Sequence, residues 1–161
     1  LQSFVDNDKN ADLVVLNDFG KGKGATPVQK PEIAGRLLSF VLKRAYGDTS
    51  QVTEYPRLKG SRIEGNKVIM TFSMPLKTSD GLLPDGFVIV RKGREPFVLA
   101  DGELKGNELI LSAEGVAEPI RASYCMDGKF IRNAPNVIGE NGMPLAPFRT
   151  DIRNDERTDA K

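Results

Sequence analysis

Ala11-Asp12-Leu13-Val14-Val15-Leu16-Asn17, then a glycine-rich run from Gly20 to Gly24, then Pro31 to Tyr46, decides how this chain is divided. Four large apolar residues in a row, 13–16, predict a strand buried on both faces. Pro31 suits the first turn of a helix, where its missing N–H would have no intrahelical partner anyway. Glu32 lies near the positive end of that helix dipole, and Lys43 and Arg44 near the negative end. Gly47 stands where a helix commonly ends in a left-handed residue. Ile33, Leu37, Phe40 and Val41 make one apolar stripe, widened by Leu38, Leu42 and Ala45. This strand–loop–helix unit has no partner strands nearby in sequence. It is expected to be the last β–α unit of an α/β domain whose remainder lies elsewhere, and so to keep an apolar face open.

From Gln51 onward the pattern changes to β. Strands are expected at 67–72, 87–90, 96–99, 108–111 and 120–124, separated by turn residues at short intervals, which points to an antiparallel sandwich. Ile63-Glu64-Gly65-Asn66-Lys67-Val68-Ile69 is echoed 41 residues later by Leu104-Lys105-Gly106-Asn107-Glu108-Leu109-Ile110. Gly-Asn between two short apolar runs fits the positive φ of a primed hairpin turn. Two copies favour repeated hairpin chemistry over a repeat protein. After Tyr124 the chain is expected to be loop-like. The fold class is therefore an α/β remnant followed by a mainly antiparallel β-sandwich, mixed and β-rich. The expected divisions are 1–50, 51–151 and a polar tail at 152–161.

Composition agrees and excludes several function classes. The 161 residues are 39% hydrophobic, with 16 glycines and 10 prolines, a mixture suited to short strands and many turns. Lys and Arg number 23 against 22 acidic residues and are interspersed with them, so no nucleic-acid partner is expected. The run Lys21-Gly22-Lys23-Gly24 reads as a solvated turn. No segment approaches the roughly 20 apolar residues of a membrane span, so no membrane partner is expected. Cys125 is the single cysteine, which rules out an intrachain disulfide, and its apolar-leaning surroundings suggest a buried structural thiol. Asp6, Asp8 and Asn10 alternate like the start of a calcium loop. Counting from Asp6, however, the sixth and twelfth positions hold Ala11 and Asn17 rather than Gly and Glu. No metal and no cofactor are expected.

The chain contains no histidine. Histidine is the usual proton acceptor near neutral pH, so a Ser-His-Asp or Cys-His hydrolase cannot be assembled from these residues alone.

That absence matters because four ordered segments resemble the C-terminal part of the sialate O-acetylesterase family. They are Asp12–Gly20, Lys30-Pro31-Glu32-Ile33-Ala34-Gly35-Arg36-Leu37-Leu38, then Gly65-Asn66-Lys67-Val68 leading into Pro75-Leu76-Lys77-Thr78-Ser79-Asp80-Gly81, and finally Asn141–Asp151 with Pro147-Phe148-Arg149-Thr150-Asp151. The resemblance covers roughly 140 residues and implies an SGNH-type carbohydrate esterase that removes acetyl groups from sialic acids or related glycans. It also implies a partner, the N-terminal catalytic half of the same or a companion polypeptide, with an acetylated glycan as substrate, and it leans toward a secreted or periplasmic location. In that family the loop before the helix carries the catalytic His followed by Pro, with the acid just upstream. Here Thr26 precedes Pro27 in that place, and Lys23 and Gly24 stand where the acid is expected. The Gly-Asp-Ser nucleophile block is not in this chain.

No catalytic residue is therefore assigned. Three residues are candidates for substrate binding. Asp18 follows the expected strand, at the edge where open α/β sheets place their crevice, with a plain turn role as the alternative. Thr26 offers one hydroxyl to a sugar, or is only a turn residue before Pro27. Arg149 can read a glycan carboxylate, or pair bidentately with a carboxylate of the hydrolase core once Phe148 anchors the tail. The alternative function is a non-catalytic glycan- or partner-binding β-sandwich module.

Overall fold

The computed structural model describes residues 5, 7–19, 29–91, 94–125 and 135–150. The chain divides into two compact units, Leu1–Glu54 and Tyr55–Lys161.

In the first unit, residues 11–16 pair with no strand among the described residues, and of the expected buried run only Val15 is fully buried. This corrects the strand expected there. An apolar run supplies the side chains of a strand, but a ladder needs a neighbouring backbone to accept and donate its hydrogen bonds. The segment ends in a 3-10 turn, Asn17–Phe19. Helix α1, Lys30–Tyr46, follows with Pro31 in its first turn. It stops at Gly47, whose φ of 71° is open to glycine at no cost. Asp48 then fixes the exit: its carboxylate accepts hydrogen bonds from the Ser50 amide and hydroxyl and from Gln51 Nε2. The Ser50 hydroxyl is the main reason that this carboxyl is held below the usual aspartate range.

No residue of α1 is fully buried. Ile33, Arg36 and Phe40, three and four residues apart, are half-buried, whereas Leu37, Leu38, Val41 and Tyr46 are exposed. The helix thus leaves part of its apolar surface exposed.

The second unit is an antiparallel β-sandwich. Its strands are β1 (Leu58–Glu64), β2 (Lys67–Phe72), β3 (Leu76–Thr78), β4 (Phe87–Arg91), β5 (Arg94–Leu99), β6 (Asp101–Lys105), β7 (Glu108–Ser112), β8 (Pro119–Tyr124), β9 (Val137–Gly139) and β10 (Phe148–Arg149). One sheet has the order β1-β2-β7-β6, the other β10-β8-β4-β5, and β3 pairs with β9. Val68, Met70, Phe72, Leu109 and Leu111 from the first sheet meet Phe87, Ile89, Ala122 and Tyr124 from the second in one core. Their alternation along β2, β7 and β8 follows the pleat, which sends every second side chain inward.

The two echoing hairpins lie side by side. Gly65-Asn66 and Gly106-Asn107 each join paired neighbours, Glu64 to Lys67 and Lys105 to Glu108. The positive φ falls on the glycines, 59° and 60°, and not on the asparagines, which is the II′ pattern. Ile69 pairs with Ile110, its own counterpart in the echo, so the hairpins face each other about a local two-fold at that pair. Between β5 and β6 a single buried residue, Ala100, carries the chain from one sheet to the other. Two short strands, β9 and β10, lie where only loop was expected, beyond Tyr124.

Candidate functional site

In the first unit the polar groups converge on Arg36. Its Nη1 donates to Asp18 Oδ1 at 2.7 Å and to the Val15 carbonyl at 2.6 Å, and its Nη2 donates to Asp18 Oδ2 at 2.6 Å. The guanidinium also lies over the Phe19 ring, 4.2 Å from its centroid. This two-pronged geometry is one that arginine makes and lysine cannot. One side chain of α1 thereby holds the end of segment 11–16 and the turn after it. Both carboxylate oxygens of Asp18 are engaged by Arg36, so Asp18 connects the helix to the segment before the 20–28 stretch. Thr26, Lys23 and Gly24 lie outside the described residues.

Removing the clamp should loosen the helix. Arg36→Ala leaves a half-buried carboxylate without its bidentate partner, at a cost of about 1.5–3 kcal/mol for hydrogen bonds to charged groups. Amide exchange in α1 is expected to speed up by more than tenfold, and Arg36→Lys should recover only part of the protection. Unchanged exchange in both variants would mean that apolar contacts alone seat the helix.

In the second unit the terminal motif divides its labour residue by residue. The Phe148 ring packs against Phe72, Tyr124 and Phe87, with centroids 5.8, 6.0 and 6.5 Å away. Thr150 is buried; its amide donates to the Ala122 carbonyl, and its Oγ1 accepts from the Ala122 amide at 2.9 Å. Between these anchors, Arg149 pairs with Ser123 on edge strand β10 and points its charge outward, exposed. Among the described residues no ion pair is seen for Arg149.

A third polar centre was not foreseen. Asn136 is 4% exposed. Its Nδ2 donates to Asp80 Oδ1 at 2.8 Å and to the Leu83 carbonyl at 3.0 Å, and its Oδ1 accepts from the Asp85 amide at 3.0 Å. Its carbonyl accepts from the Ser79 amide. Asp80 Oδ1 also accepts from the Leu82 amide, and Asp85 Oδ1 from the Gly86 amide. Beside it, Gly139 of β9 has no room for a side chain: a Cβ there would come within 2.6 Å of Met74 Sδ and 2.9 Å of Pro56 Cγ. The clue in sequence is the turn-rich stretch Ser79-Asp80-Gly81, which needs a partner to fix it. Nothing local identifies that partner as a residue more than 50 positions away.

Among the described residues no group of three His, Cys, Asp or Glu side chains is placed to hold a metal ion. Asp8 accepts from the Asn10 amide at 2.8 Å. Cys125 is half-buried with a φ of 50°, so it is not the fully buried thiol expected.

No protein-family model matches the chain, and no curated protein matches it. Among solved structures it is similar to the crystal structure of a novel carbohydrate acetylesterase from Xanthomonas citri. The two are 27% identical with a TM-score of 0.68. This chain is related to a carbohydrate esterase. The match covers 83% of this chain and 31% of the Xanthomonas protein, so this chain spans less than a third of that esterase.

Proposed function

We propose that this chain is the C-terminal part of a sialate O-acetylesterase-like carbohydrate esterase, and that it completes a hydrolase half whose nucleophile lies in another stretch of polypeptide. The reading is carried by the match to a carbohydrate acetylesterase more than three times the matched length. The open apolar face of α1 supports it, because a helix half-covered on one side fits an α/β layer that supplies the other. The chemistry is acyl transfer. A serine oxygen of the other half attacks the acetyl carbonyl and the ester C–O bond breaks. The serine proton passes through a base to the departing sugar alkoxide, and water then releases acetate from the acyl-serine. The base comes from outside this chain, which has no histidine. Unit 1 would form the last β–α piece of that half, with Thr26 at the place of the family's histidine. Arg149, exposed and without an ion pair among the described residues, is the cation offered to a glycan carboxylate. Asp18, held by Arg36, lines the site through position.

Hydrolysis of p-nitrophenyl acetate tests this. The 161-residue chain alone should show no rate above buffer, and the polypeptide that includes the preceding half should turn over. Activity in the chain alone overturns the reading. Silence in both favours the non-catalytic glycan- or partner-binding module, for which the absence of histidine is the specific support.

A further inference from the structure

Nine asparagines occur in the chain, and Asn141 is the one that glycine follows. Asparagine before glycine is the pair most open to a reaction within the chain itself, in which the next backbone nitrogen attacks the side-chain carbonyl carbon. Glycine has no Cβ to hinder that approach. A Cβ built on Gly142 would meet nothing within 4 Å, and Asn141 and Gly142 are both exposed, so water reaches them. The turn they occupy holds both reacting groups. The Gly142 amide donates to the Gly139 carbonyl at 2.9 Å, and Asn141 Oδ1 accepts from the Met143 amide at 3.1 Å. The Gly139 amide closes the turn by donating to the Met143 carbonyl at 2.8 Å, and the Leu145 amide donates to the Val137 carbonyl at 3.0 Å. Met143, Pro144 and Leu145 are buried, which fixes the chain beyond the turn. Gly139 lies so close to the Asn141 carboxamide that a Cβ there would come within 2.8 Å of Oδ1.

We infer that Asn141 is a site of spontaneous deamidation that the folded turn 139–143 holds closed, and that it reacts only when this turn opens. The Gly142 nitrogen is a nucleophile only after it loses its proton. Its hydrogen bond to the Gly139 carbonyl favours the protonated form and so keeps that proton in place. The carboxamide must turn its carbon onto that nitrogen, which means releasing the Met143 amide. Once both groups are free, a bond forms between the Gly142 nitrogen and Asn141 Cγ. The Cγ–Nδ2 bond breaks, and the side-chain nitrogen leaves as ammonia, carrying the proton that Gly142 gave up. Water then opens the cyclic imide. Entry at Cγ leaves aspartate at 141, whereas entry at the main-chain carbonyl leaves isoaspartate, with one more carbon in the backbone. The net change is one water taken up and one ammonia released. Either product sets a second carboxylate beside Glu140, and isoaspartate also breaks the register in which Gly139 and Met143 pair.

The test follows amide-to-acid conversion in the 161-residue chain by mass spectrometry of its peptides, at mildly alkaline pH, in buffer and in denaturing urea. In urea Asn141 should convert ahead of every other asparagine. In buffer it should convert at least about tenfold more slowly, because reaction then waits on local opening of a hydrogen-bonded turn. Hydrogen exchange at the Gly142 amide measures the same opening, so its protection should match the slowing of deamidation. Equal rates in buffer and in urea overturn the inference, because the turn would then guard nothing. A slow rate in buffer with an unprotected Gly142 amide overturns it too, since the slowing would not come from this turn. Conversion first at another asparagine in urea would remove Asn141 as the favoured site.

Discussion

Phe87→Ala is expected to cost the β-sandwich about 3–5 kcal/mol, the range for deleting a large aromatic from a close-packed core. Phe87 is 1% exposed, stacks on Tyr124 with centroids 4.4 Å apart, and lies on β4 between β5 and β8. Removing its ring opens a void at the meeting of both sheets, and β4, central in its sheet with a neighbour on each side, has little freedom to collapse into it. For a unit of this size the loss corresponds to a fall of roughly 12–40 °C in the unfolding midpoint. Phe148→Ala makes the control. Phe148 touches the same rings from a two-residue edge strand and is half-buried, so its loss should be clearly smaller. Urea unfolding of both variants with unchanged slope is the check. Equal losses would mean that β10 is as central to the core as β4.

The same contrast shows what could be read in the sequence. Lys67-Val68-Ile69-Met70-Thr71-Phe72 and Phe87-Val88-Ile89-Val90 announce themselves because a strand in the middle of a sheet is apolar over most of its length. The Gly-Asn hairpins are legible because a two-residue turn demands positive φ at a fixed position, and glycine supplies it. Strands β3 and β9 left no such mark. Each has three residues, and Leu76 and Gly139 pair across more than 60 positions, a distance at which local pattern carries no information. Segment 11–16 failed for the opposite reason. Its composition is that of a central strand, but it pairs with no strand among the described residues, and composition does not report whether a neighbouring strand is there. The site divides likewise. Phe148 as an anchor could be read from its motif. Arg36 as the partner of Asp18 could not, because an arginine on a helix reads as solvated until a carboxylate is placed opposite it.

Asn136 makes the sharpest case. Asn136→Ala is expected to remove about 2–4 kcal/mol, because three hydrogen bonds go, the Asp85 amide loses its Asn136 acceptor in a buried place, and the part-buried Leu83 carbonyl loses its donor. Asn136→Asp separates shape from hydrogen-bond polarity. The side chain keeps its size and can still accept from the Asp85 amide. It loses both Nδ2 donors, and at neutral pH it brings a second carboxylate against Asp80 Oδ1 and the Leu83 carbonyl. Like charges at that distance disfavour ionisation, so the carboxyl introduced at position 136 should have a folded-state pKa raised above its unfolded value. The sign follows. A group with a raised folded pKa is relatively stabilising while protonated in both states, below the unfolded pKa of about 3.9, and that stability is lost as pH rises through the folded pKa. N136D should therefore be at least as damaging as N136A at pH 7, and should recover relative to N136A as the pH is lowered toward 4. Urea unfolding of the three proteins at pH 7 and pH 4 reads the difference directly. If N136D and N136A keep a constant gap across that range, the amide acts by filling space. If the gap closes and reverses on acidification, its two donors are what hold the Asp80–Asp85 loop in place.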